Sequence, residues 1–165
     1  MLVSKKKFLA LPLAHQERIV EALFLAEHKN FSKSKAGIEI NVPAGYSIRA
    51  AAILECELPK EIVKKIIVLE QDANEFISKL DVDEFSEYAA QLEKTGIFLP
   101  ARDDLIVITP ENVPPEAYRN KKGKLIFISI DTVLAGIDEQ YDKDKKLRKV
   151  LQHYGFVKDK DTNSY

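Results

Sequence analysis

The chain has 165 residues, 25 basic and 26 acidic side chains, and an apolar fraction of 45%. That length fits one domain, and the composition excludes a mostly disordered chain, a collagen-like chain and a disulfide scaffold. The single cysteine, Cys56, excludes an internal disulfide and favours a reducing compartment, so a cytoplasmic location is expected.

The first residues imitate a signal peptide, with Lys5, Lys6 and Lys7 ahead of an apolar run from Phe8 to Ala14. Pro12 cuts that run, and charged residues follow it directly, so the stretch reads as a mature N-terminus leading into a helix. No stretch approaches the ~20 apolar residues of a membrane span, and no membrane partner is expected. Ile19, Ala22, Leu23 and Ala26 recur at helical spacing, which predicts a helix over 13–28. Residues 30–37 are polar and basic and read as a loop. Strict alternation over 38–42 predicts a half-buried strand, and Pro43, Ala44 and Gly45 predict a turn. Alternation resumes through Ile48, Ala50, Ala52, Leu54 and Cys56. This predicts a hairpin across the three-residue turn, while the three successive alanines at 50–52 favour a helix and leave 46–58 open between strand and helix.

The central segment carries Ile62, Ile66, Leu69, Ala73, Phe76 and Leu80 at alternating spacings of four and three. With Pro59 at the first helical position, that pattern predicts a helix. Val63, Ile67 and Ile77 make its apolar face wider than one neighbour needs, which would suit a homodimer. Asp81 and Glu84 restart a helix that Phe85, Ala89 and Leu92 continue and Gly96 ends. The two together predict a helical hairpin at 59–95. Continuous apolar runs at 105–109 and 125–130 read as central strands. Between them, Pro110, Pro114, Pro115 and Gly123 mark a long loop. Asp142 caps a last helix, with Leu147, Val150, Leu151 and Tyr154 on one face and Gly155 as its stop. The expected architecture is α+β. It is a mixed or antiparallel sheet of about four strands, covered on one face by helices, in one domain over 1–155 with a frayed tail at 156–165.

Charge is laid out in blocks. Seven basic residues face three glutamates up to Lys35, eight acids face one lysine over 70–93, and nine basic residues face five acids over 119–149. The loop after Thr109 has apolar anchors in Val113, Pro114, Pro115 and Tyr118, with Arg119 beside them, the composition of a protein-recognition loop. The leading expectation is therefore a non-enzymatic cytosolic binding or regulatory protein acting through protein–protein contacts. A second expectation is a nucleic-acid-associated module. It would use Lys121, Lys122 and Lys124 of the loop with Lys145, Lys146, Arg148 and Lys149 of the last helix, and Tyr118 and Tyr141 could stack on bases.

A third expectation is a small metal-dependent hydrolase or nuclease whose carboxylates Asp104 and Asp131 meet at neighbouring strand ends. Against it, Asp131 reads first as the cap of a following helix. Ser129, Asp131 and Val133 resemble the opening of the haloacid-dehalogenase-type phosphatase motif. Ser129 stands where that family needs its nucleophilic aspartate, which excludes the phosphatase reading. Arg102, Asp103 and Asp104 read as a solvated start of a strand. His15, His28 and His153 share no metal-ligand spacing, so no metal site is expected. His28 and His153 fall in last helical turns, where a positive charge suits the dipole. Cys56 reads as an inert core residue. Phosphate-loop and dinucleotide fingerprints are absent, so no cofactor is expected.

Overall fold

A computed structural model describes residues 1–70, 82–109 and 125–158. Two helices open the chain, α1 (Lys5–Ala10) and α2 (Leu13–Glu27). Three strands follow, β1 (Lys33–Asn41), β2 (Ser47–Leu58) and β3 (Ile62–Glu70). The remainder is α3 (Val82–Lys94), β4 (Asp104–Thr109), β5 (Leu125–Ser129), α4 (Ile130–Gln140) and α5 (Lys145–His153). The strands form one five-stranded mixed sheet in sequence order. β1, β2 and β3 make an antiparallel meander, and β3, β4 and β5 run parallel. The class is α+β, as expected, with one strand more than the sequence predicts.

The extra strand is β3, and it replaces the first half of the predicted helical hairpin. Pro59–Glu61 is a single 3-10 turn, with Lys60 in the left-handed region, not the start of a helix. A run as apolar as 62–69 contains helical spacing and strand alternation at once, so spacing alone does not decide between them. The β-branched residues favour a strand, and neighbours on both edges give it two faces to bury. Ile66 and Val68 enter one core, while Ile67 and Leu69 enter the other. Of the three residues that widen the predicted apolar face, Ile67 is buried inside the domain, Val63 is half-buried, and Ile77 lies outside the described residues. Residues 71–81 of the predicted hairpin lie outside the described residues. α3 ends as expected, with Gly96 in a left-handed conformation at φ +79°.

Helices cover both faces of the sheet rather than one. α1, α2, α4 and α5 bury Phe8, Leu23, Leu134 and Leu151 against Leu54, Ile66, Val68 and Ile108. α3 places Phe85 and Leu92 on the opposite side with Ile67, Leu105, Val107 and Phe127. The three alanines at 50–52 belong to β2 and are buried. Ala51 and Ala52 lie in the core that α2 covers and Ala50 in the opposite one, and tertiary packing outweighs their helix propensity. Beyond Gly155, Phe156 enters the first core and the Lys158 amide donates to the Tyr141 hydroxyl at 3.2 Å. These contacts carry the packing through Phe156 to Lys158, and the rest of the predicted tail lies outside the described residues.

Candidate binding groove

Parallel pairing of β4 with β5 aligns Leu105 with Leu125 and Thr109 with Ser129. Asp104 opens β4 at one end of the sheet, whereas Asp131 lies just past the other end, in the first turn of α4. Five strand residues, roughly 16 Å, separate their levels. The two carboxylates do not converge. The α4 cap is Ser129, whose Oγ accepts the Thr132 amide at 3.2 Å, not Asp131. Ser129→Ala is expected to cost about 1 kcal/mol by thermal unfolding, and Asp131→Ala only a few tenths. Among the described residues no group of three potential metal ligands comes together.

The basic residues do converge. A groove of about 610 Å³ runs between α2, the connection into β1 and the turn from α4 into α5. Ala22 and Leu25 of α2, Phe31 and Val150 give it apolar lining. Arg18 of α2, Lys29 of the connection into β1, Lys143 of the turn after α4, and Lys145 and Lys146 of α5 supply five cations from four segments. Three of these already face a carboxylate. Arg18 pairs with Glu21 on its own helix, and Lys29 Nζ meets Asp144 Oδ2 at 2.5 Å. Glu21 is buried on the sheet side of α2, where its second oxygen accepts the Ser34 hydroxyl at 2.8 Å, so this carboxylate is satisfied internally. Lys143 approaches Glu139 at 3.7 Å. Lys145 and Lys146 are exposed and carry no ion pair among the described residues.

Asp144, not Asp142, caps α5, with its Oδ1 accepting the Leu147 amide at 2.8 Å. Burial pushes its carboxyl up, but the Lys29 ammonium and the amides of the helix start outweigh this and hold it below the usual range. The turn is anchored by Arg148, whose Nη1 donates to the carbonyls of Tyr141 at 3.0 Å and Asp142 at 3.3 Å. Arg148 is therefore structural. Lys149 is exposed on α5 but does not line the groove. Tyr141 is only 3% exposed, so its ring cannot stack on bases. The loop residues Val113, Pro114, Pro115, Tyr118, Arg119, Lys121, Lys122 and Lys124 lie outside the described residues.

His28 caps α2 at its C-terminus. Its ring stacks on Phe24 at 5.8 Å and meets the edge of Phe31 at 5.9 Å. Burial lowers its pKa, with Asp104 pulling up and Lys64 pushing down, so it tends to neutrality rather than serving as a cation for the dipole. His15 stacks on Tyr154 at 4.4 Å, joining α2 to α5. Cys56 is half-buried near the end of β2 rather than deep in a core.

No protein-family profile, curated protein or solved structure matches this chain. Lys143 belongs to the basic run of the last helix, whereas Arg18, Lys29 and Asp144 are charged groove residues that sequence reasoning missed. Their only signal was the pair of basic blocks near the two ends of the chain. Nothing in the sequence brings together Lys29 and Asp144, 115 residues apart.

Proposed function

We propose that this is a non-enzymatic binding protein whose contact surface is the cationic groove between α2 and α5, and that its partner is another protein. The observation that carries this reading is the convergence of five cations from four segments around apolar lining. Bare electrostatic attraction to a polymer needs no such lining, whereas a protein segment uses both halves of it. The burial of Tyr141 and the internal use of Arg148 weigh against base recognition. The separation of Asp104 from Asp131 weighs against metal-assisted hydrolysis.

The test is fluorescence anisotropy with labelled poly-glutamate and, in parallel, a labelled single-stranded oligonucleotide. Poly-glutamate is expected to bind at low salt and to weaken as salt rises. Joint replacement Lys143→Glu, Lys145→Glu and Lys146→Glu should weaken it at least about tenfold, since three added charge reversals act on one site. Unchanged binding by that variant overturns the reading. Tighter binding of the oligonucleotide than of poly-glutamate would replace the protein partner with nucleic acid.

A further inference from the structure

We propose that the groove takes an acidic protein segment carrying apolar side chains, and that Asp144 is its built-in competitor, holding Lys29 until a carboxylate of the partner displaces it. This deepens the binding reading above and rests on it. Lys29 and Asp144 come from opposite walls of the groove, the α2–β1 connection and the start of α5. Their contact shows that a carboxylate fits against this wall, because one from the chain's own turn already sits there. The Lys29 side chain is 67% exposed, so the ammonium is open to exchange. The Asp144 side chain is only 13% exposed, so exchange takes place at the lysine end, where a partner that offers several carboxylates together can take over the ammonium.

The two oxygens of Asp144 divide the work. Oδ1 caps α5 through the Leu147 amide, and Oδ2 faces Lys29. The two roles can therefore be separated. Asparagine keeps an oxygen for the cap and removes the charge from Lys29. The apolar lining from Ala22, Leu25, Phe31 and Val150 adds the second half of the specificity. A segment with apolar side chains between its acids would cover that lining, whereas poly-glutamate would leave it wet.

The experiment compares a labelled peptide alternating glutamate with leucine against poly-glutamate of the same length, on the full chain. The alternating peptide should bind wild type more tightly. Asp144→Asn should bind both peptides about threefold more tightly, the scale of one exposed ion pair, with its melting temperature near that of wild type. Asp142→Asn makes the same change in net charge at a residue that pairs with Lys158 and does not line the groove, so it should gain nothing. Adding Lys29→Gln should erase the gain of Asp144→Asn. Equal affinity for the two peptides overturns the choice of an apolar-bearing segment. No gain in Asp144→Asn, an equal gain in Asp142→Asn, or a gain that survives Lys29→Gln overturns the role of Asp144. Wild type that binds neither peptide overturns the groove reading itself.

Discussion

Replacing Asp103 with alanine is expected to destabilise the fold by about 3–5 kcal/mol, the scale of breaking a buried ion pair from one side. Asp103 is fully buried, although it belongs to a stretch that reads as a solvated start of a strand. Its Oδ1 accepts Arg102 Nε at 2.8 Å and the Lys65 amide at 2.8 Å. Its Oδ2 accepts Arg102 Nη2 and the Leu99 amide, both at 3.0 Å. Lys65 is the residue of β3 just before pairing with β4 begins at Ile66. The carboxylate thus stands in for the missing ladder acceptor there and pins the preceding turn at Leu99. Truncation strands two backbone donors and a guanidinium.

Burial pushes the Asp103 carboxyl up, but Arg102 and the amides of Leu99 and Lys65 outweigh it and hold the pKa below the usual range. A group depressed in the folded state contributes its stability above its unfolded pKa and loses it as pH falls through the folded one. Wild type should therefore lose stability below about pH 4, and Asp103→Asn should flatten that part of the curve. Urea unfolding at neutral and acidic pH measures both effects. A loss under about 1 kcal/mol for Asp103→Ala would contradict this account of the junction.

Gly37→Ala is expected to cost about 2–3 kcal/mol, from the left-handed backbone and from displacement of a half-exposed ion pair whose carboxylate is buried. Gly37 lies in β1 at φ +62°. A Cβ built there would stand 2.9 Å from Arg49 Nη2 and 2.9 Å from Glu17 Oε1. Glu17 is buried on the sheet face of α2 and is gripped by Arg49 through Nε at 2.7 Å and Nη2 at 2.8 Å. The ion pair passes directly over the strand backbone, and only the absence of a side chain leaves it room. In an Arg49→Ala background the penalty should shrink but stay above the backbone part of about 1–2 kcal/mol, because Glu17 Oε1 still stands against the new Cβ. A penalty that stays the same in both backgrounds would mean that the ion pair yields freely.

The parts of the fold written in local chemistry were legible. The α2 stripe, the Pro43–Gly45 turn, the Gly96 stop and the two apolar runs before Thr109 and Ser129 each appear where their residues predict. β3 was misread because a continuous apolar run satisfies two periods, and its burial depends on strands that the sequence does not place beside it. Asp103 was misread because its partners, the amides of Lys65 and Leu99, leave no side-chain pattern. The groove was half legible. Lys145 and Lys146 stood out as part of a basic run, but the wall opposite them comes from the first fifth of the chain. The pair of distant aspartates failed for a topological reason, since parallel strands put the start of β4 and the end of β5 at opposite rims.

β3 belongs to both halves of the sheet, and this gives the folding reaction an order. Its contacts with β2 close through a three-residue turn, whereas those with β4 close only after more than thirty intervening residues. Closing the longer loop costs more chain entropy, so the meander β1–β3 is expected to assemble first and serve as the template on which β4 and β5 add. Mutations at Leu54 or Ile66 should then slow refolding. Those at Val107 or Phe127 should chiefly hasten unfolding, with the Asp103 junction forming between the two stages.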